Sequence, residues 1–337
     1  MTGSGTALDP YVIWDVNDLQ NIDLDLTAYY ELGQDIDATA TIVWNGGLGF
    51  LPIGHWPLDD FTGNFDGKRH TINHLWIVRP LENEIGLFSR PNGAVIQNVD
   101  LIDCYVYGDL GVGALVASMP AHTYQPTLVN QCYSRGRVIG RTYVGGLVGV
   151  TRREGAIFGT VRKSYSHCSV EGRDDPPFGM PVGGLVGANA GLIIDSYGRG
   201  RVTGSQQVGG LLGSNQNWGA PDIGEVRNSY ATGEVVGIQV GGLIGVSSVG
   251  AICTNSFWDT ETSGTPISEG GTGLTTAQMK AIATFIAAGW DFDDIWAICS
   301  GVNSDYPCLL GVTPSCILAP IVPHVINKAY ALAREEL

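Results

Sequence analysis

Three carboxylates fall within five positions at Glu171, Asp174 and Asp175, in the segment VEGRDDPPFG. Two carboxyl groups roughly 5 to 9.5 Å apart across a cleft can cleave a glycosidic bond, one as acid and one as base or nucleophile. The same text also reads as an ordinary polar loop, since Asp and Pro favour turns. Asp291, Asp293 and Asp294 in WDFDDIW, and Asp35 with Asp37 in QDIDAT, offer hard oxygen ligands of the kind Ca²⁺ prefers, but their spacing does not fit an EF-hand loop. The histidines His55, His70, His74, His122, His167 and His324 make no metal-binding spacing, and a structural role is expected for them. No nucleophile elbow, phosphate loop or dinucleotide fingerprint is present. Neither a metal nor an organic cofactor is expected.

Two further groups could bind. Trp44, His55 and Trp56 lie in TIVWNGGLGFLPIGHWPLDD, where aromatic faces beside Asp and Asn could hold a sugar or could simply build a terminal core. Arg135, Arg137, Arg152, Arg153, Arg162 and Lys163 make a locally basic middle in a chain of net charge -15. That middle could meet an anionic surface glycan or an acidic neighbouring subunit, or form a solvated face. Residues 1–66 contain no Lys or Arg. Overall acidity argues against nucleic acid as a partner. No apolar run is long enough for a transmembrane helix, so membrane insertion is not expected. Met1 is followed at once by Thr2, Gly3 and Ser4, so no secretory leader is expected at the start of this text. Seven cysteines without a CxxC pair make zinc and thioredoxin-like sites poor readings. Cys299, Cys308 and Cys316 cluster, and Cys299 with Cys308 is the first pairing to test.

What must position these residues is a repeat. YVGGLVG, PVGGLVG, QVGGLLG and QVGGLIG recur at 143–149, 181–187, 207–213 and 239–245. Ahead of them stand QCYSRGRVIG, KSYSHCSVEG, DSYGRGRVTG and NSYATGEVVG, with Tyr133, Tyr165, Tyr197 and Tyr230 spaced by 32, 32 and 33 residues. A period of that length signals a solenoid. Each unit holds three runs of alternating apolar and small residues, which suit short strands. The expected fold is therefore all-β: a parallel β-helix, or β-solenoid, with short helical caps at both ends.

The double glycines Gly145, Gly146, Gly183, Gly184, Gly209, Gly210, Gly241 and Gly242 would supply backbone freedom and close approach at one corner of every coil. Val144, Leu147 and their equivalents would form apolar ladders. Cys104 and Cys168 fall in one column, two coils and about 9.6 Å apart, too far for a disulfide.

The phrases VGGLVG and NSYATGEVVG resemble GLUG-motif proteins, repeat modules of large prokaryotic surface proteins and adhesins. GSGTALDPYVIWDVNDLQNI, FTGNFDGKRHTINHLWI and NSFWDTETSG with GWDFDDIWAI resemble the opening, early and closing segments of such modules. The resemblance covers about residues 3–310. It implies a right-handed β-helix-like fold and a non-enzymatic surface role, and it carries over no catalytic residues. Lys68 and Arg69 depart from it, standing where related segments carry Asn-Gly, and residues 311–337 have no counterpart in it.

The organisation expected is an N-terminal cap and first strands over 1–80, repeats over 81–264, a helical C-terminal cap over 265–310 and a tail over 311–337 with a short docking helix. VNDLQNIDLDL suits a capping helix at the start. TTAQMKAIATFIAAG suits another, with Thr275 and Gln278 as a capping box, Met279, Ile282, Ala283 and Ile286 on one face, and Gly289 as its stop. Trp290, Phe292, Ile295 and Trp296 would seal the last coil. The functional expectation is a structural or adhesive solenoid displayed on a surface. A phage virion component (tail spike, fibre or capsid-decorating protein) stands first, a cell-surface adhesin module second and a polysaccharide depolymerase third. The expected location is the virion or the cell exterior. Neighbouring subunits would dock through the tail or the basic middle.

Overall fold

A computed structural model describes residues 1–55, 60–120, 125–154, 157–173, 180–216 and 223–313. It is a parallel β-solenoid of about 6 turns, with 42% of residues in strands. Sheets of nine, five, thirteen and five strands run along the stack, and every pairing between coils within them is parallel.

The coil that opens at Leu128 shows the path. Its strands are Leu128–Asn130, Tyr133–Gly140, Thr142–Gly145 and Val148–Thr151. The long strand gives its two halves to separate strands of the next coil, Tyr165–Ser166 and Ser169–Gly172. The three strands expected per coil are therefore four or five, because the glycine phrase is not one strand. Val144–Gly145 ends one strand, the chain bends at Gly146 and Leu147, and Val148 starts the next. Between the bends the apolar ladders are in register: Val144, Val182, Val208 and Val240 pair coil to coil. Leu147, Leu185, Leu211 and Leu243 are fully buried. Each such side chain stabilises the stack by about 1.5 to 3 kcal/mol.

The glycines at this corner do not act through unusual dihedrals, since none of the eight has a left-handed φ. They act through closeness. A Cβ on Gly145 would lie 1.9 Å from the Val148 carbonyl oxygen, and one on Gly146 would lie 2.1 Å from that of Gly184. The chain doubles back here so tightly that two sheets meet backbone to backbone. The left-handed corner lies elsewhere and carries side chains. Asn98, Gln131, Lys163, Asp195, Asn228 and Asn255, one per coil, all have φ between 45° and 56°. Asn and Asp tolerate that region best, which fits four of the six.

The S-Y dipeptide of each repeat has two jobs. The serine points inward: Ser164, Ser196 and Ser229 each donate to a carbonyl two residues back and accept an N–H from the coil before. The tyrosine points outward, so that Tyr133, Tyr165, Tyr197 and Tyr230 stack at 4.3, 4.5 and 4.9 Å between ring centres. These rings lie outside the main core, in a second hydrophobic cluster with Met279, Phe285, Trp290, Trp296, Tyr306, Leu309 and Val312.

That second cluster corrects the reading of the C-terminal segment. Trp290 and Trp296 do not seal the last coil. With residues 275–313 they form a strap that runs back along the side of the solenoid over the tyrosine stack. Trp296 packs on Tyr197 and Tyr230, the Tyr230 hydroxyl donates to the Pro307 carbonyl, and Tyr197 meets Thr313 at 3.1 Å. The last coil is closed instead by Trp258 and the loop after it, where the indole donates to the Thr265 carbonyl and the Ser268 hydroxyl accepts the N–H groups of Leu243 and Ile244.

The capping box of Thr275 and Gln278 is present, but the helix breaks after Met279 and resumes at Ile282–Ala287. The break rotates the face: Met279 and Phe285 are buried, whereas Ile282 and Ile286 are exposed. Gly289 follows with φ 82°. At the other end Val16–Gln20, capped by Asp15, buries Val16 and Leu19 against the first coil, and Ile22 follows in a short 3₁₀ turn.

Candidate functional site

The second half of the long strand repeats outward residues in two columns on either side of a buried valine or isoleucine. Trp76, Tyr105, Arg137 and Ser169 head one column, and Val78, Tyr107, Ile139 and Glu171 make the other. Trp76 and Tyr105 stack on each other, 4.4 Å between centres, so they present ring edges along the face. The charges beyond them are paired between coils. Arg137 meets Glu171 at 2.6 Å, Arg135 holds Asp103 at 3.0 Å, and Arg201 meets Glu234 at 3.2 Å. Arg141 and Arg173 share Asp109, whose carboxyl the Arg141 hydrogen bond holds below its ordinary range.

The six cations singled out from the sequence therefore occupy three places. Arg135 and Arg137 lie on this lateral face. Arg162 donates to Asn130 at the neighbouring corner, where Lys163 takes a left-handed turn position. Arg153 sits over the Phe158 ring at 5.0 Å, and Arg152 lines a cleft on another side.

Of the three carboxylates first considered, Glu171 is engaged with Arg137, and Asp174 and Asp175 lie outside the described residues. Asp291 accepts the N–H groups of Asp293 and Asp294, which makes a turn. Asp35 and Asp37 face His70 and His74 on the adjacent coil at 3.3 and 3.7 Å. His167 packs edge-on to Tyr133 and Tyr165, and burial pushes its pKa down to about 3. Among the described residues no group of three His, Cys, Asp or Glu side chains could hold a metal ion. Asp259 is a buried carboxylate. Burial alone would raise its pKa, but donors from Tyr306 at 2.6 Å and Thr276 at 2.7 Å outweigh that and hold it below the ordinary value.

Two of the clefts matter for binding. One, of about 340 Å³, is lined by Glu84, Arg90, Ser118 and Arg152, with Asp60 on Arg90 at 3.4 Å and Glu84 at 3.8 Å. Burial raises the Glu84 pKa. Nothing in the repeat pattern marked Glu84 or Arg90, because their partners come from different coils. The other, of about 450 Å³, lies in the N-terminal region and is lined by Gln20, Asp23, Trp44, Asn45 and Leu51. Trp44 belongs to the aromatic group noted in the sequence; Trp56 lies outside the described residues, and His55 faces Glu82 at 3.5 Å.

Cys104, Cys132, Cys168 and Cys253 are free thiols, Cys299 keeps its thiol outside any disulfide, and Cys308 is disulfide-bonded. The pairing of Cys299 with Cys308 is thereby overturned; Cys316 lies outside the described residues. Cys104 pairs with Gly136 on the next coil, and the buried Cys104 and Cys168 thiols influence each other across that glycine, which has no side chain.

Residues 204–236 match the family model described as the GLUG motif. The chain is 37% identical over 318 residues to halomucin of Haloquadratum walsbyi, covering 91% of this chain and 3% of that protein. It is 31% identical over 401 residues to a provisionally named Gly-rich membrane protein of Evansella cellulosilytica, covering 90% of this chain and 45% of that one. The chain thus spans less than half the length of these curated relatives. Among solved structures it resembles a protein provisionally named an immunoglobulin A1 protease from Bacteroides ovatus, with TM-score 0.67, 20% identity, and coverage of 91% of this chain and 94% of that one. A structure titled IgA1 Protease matches with TM-score 0.55 and 19% identity, over 74% of this chain and 19% of that chain. At such identity the two structures show the fold alone.

Proposed function

The chain is a GLUG-repeat β-solenoid, and from that premise we propose that it is a rigid, non-enzymatic module of a larger surface-associated or extracellular protein, displaying its sides to partners. The observation that carries this reading is where the charged side chains of the repeats go. Arg135, Arg137, Arg141 and Arg201 each brace an acid on the adjacent coil. Together with the serine ladder and the strap, they stiffen a rod. The relatives named as halomucin and as a Gly-rich membrane protein support a surface setting over the virion setting. The likeness to structures titled as proteases rests on the shared solenoid and brings no catalytic group with it. The depolymerase reading loses one of its three carboxylates to an ion pair at Glu171.

Fractionation of the source culture into particles, cell envelopes and medium, followed with an antibody to this chain, tests the proposal. Recovery in envelopes or medium is expected. Recovery in purified virus particles or cytoplasm would overturn it.

A further inference from the structure

We propose that the N-terminal cleft lined by Trp44 binds a neutral sugar, one or two hexose units of a glycan. The inference goes beyond display and does not rest on where the chain resides.

Three observations point there. The cleft combines an aromatic ring with a carboxylate, two amides and an aliphatic side chain: Trp44, Asp23, Asn45, Gln20 and Leu51. A sugar has one face of C–H groups and a rim of hydroxyls, and it is recognised by a ring that stacks on the first and by acceptors and amide donors that take the second. At about 450 Å³ the space lies in the range of small-molecule sites.

The wall is also held in place before any ligand arrives. Phe50, fully buried, packs against Trp44 at 6.3 Å with 20° between rings. Gln20 exchanges two hydrogen bonds with the backbone of Leu51, and Asp23 accepts from Gly54 N–H at 3.0 Å and from Gln20 at 3.2 Å. The Asn45 amide donates to the Gly49 carbonyl, fixing a loop whose Asn45 and Gly46 are left-handed. A wall fixed in this way loses little conformational freedom on binding.

Charge then selects the class of sugar. No Lys or Arg occurs in residues 1–66, and Asp23 sits in the cleft wall. Uronic, sialylated and sulfated sugars would be repelled.

The test is saturation-transfer NMR and calorimetry on the full chain with cellobiose, maltose, lactose and chitobiose, and with digalacturonate and a glucosamine dimer as charged counterparts. At least one neutral disaccharide is expected to bind. Trp44→Ala should abolish that binding, and Trp44→Phe, which keeps a ring, should weaken it about 3- to 10-fold. Asn45→Gly, which keeps the left-handed backbone but gives up the bond to Gly49, should weaken it about 10-fold while lowering the melting midpoint only slightly. Arg137→Ala on the lateral face should change nothing. Binding of none of the four neutral sugars, binding of a charged dimer alone, or an Asn45→Gly protein that binds like wild type would each overturn the proposal.

Discussion

The guanidinium of Arg69 donates to the carbonyl of Val312 at 2.8 Å, 243 positions away in the chain. The same group reaches the Gln131 carbonyl at 2.6 Å and Asp100 at 3.2 Å. Arg69 therefore latches the far end of the strap to an early coil. It does so from a left-handed turn, φ 65°, directly after Lys68 at φ 50°. Asn-Gly is the favoured pair for such a turn, so the departure noted in the sequence exchanges an easy turn for a latch.

Arg69→Gly changes both at once, because glycine relieves the turn and removes the latch. A net loss of about 2 kcal/mol is expected, as for a hydrogen bond to a charged group. Proteolysis within 290–313 should become faster. Urea melts and timed digestion check this; an unchanged digestion rate would mean that the strap is held without Arg69.

Burial raises the Asp100 pKa to about 6, against the pull of Arg69. In the unfolded chain this carboxyl titrates near 4. Between those values the folded state binds a proton that the unfolded state does not. The contribution of this group to stability therefore rises as pH falls from 7 towards 4 and is lost as pH rises through about 6. Wild type minus Asp100→Asn, measured by urea melts at pH 7 and pH 5, should be larger at pH 5. The comparison removes other buried acids such as Asp23 and Glu84, which shift the same way.

At the glycine corner, Gly145→Val and Gly209→Val place a Cβ 1.9 and 2.0 Å from a backbone oxygen. Neither backbone can move without breaking a ladder, so both variants should fail to give soluble, cooperatively melting protein. Arg135→Ala, which removes an exposed ion pair, should cost less than about 1 kcal/mol. Comparable melting midpoints for all three would refute the close-approach argument.

Tyr197 is fully buried between Tyr165 and Tyr230 and beneath Trp296. Tyr197→Ala should cost about 3 to 5 kcal/mol, whereas Tyr197→Phe, which loses only the hydroxyl partner Thr313, should cost about 1 kcal/mol. Thermal melts of the pair distinguish a stack that carries the strap from a surface ornament.

Cys299 keeps its thiol outside any disulfide, and Cys308 is oxidised. Under denaturing, non-reducing conditions iodoacetamide should label Cys299 and leave Cys308 unlabelled until reductant is added, which peptide mass spectrometry reads directly.

Much of this architecture was legible because a repeat states its own geometry. The tyrosine spacing revealed the coil length, and the V-G-G-L phrase revealed which residues face inward, since only a stacked coil places identical residues in contact. Even there only half of the expected glycine role holds. The close approach is present, since an added Cβ would lie about 2 Å from backbone atoms, whereas the left-handed corner belongs to Asn98 and its column, whose residue types vary too much to read as one feature.

Sequence by itself determined the solenoid, its register and its tyrosine column, all of which follow from local pattern repeated at a fixed period. Tertiary structure decided which way the C-terminal segment turns. Trp290 and Trp296 are equally apolar whether they plug an end or lie along a side, and only the unfilled outer face of the tyrosine stack draws them back along it. It also decided the clefts. Arg90 reaches both Glu84 and Asp60, and Trp44 and Asp23 come to line one cleft, through tertiary folding that no repeat period announces.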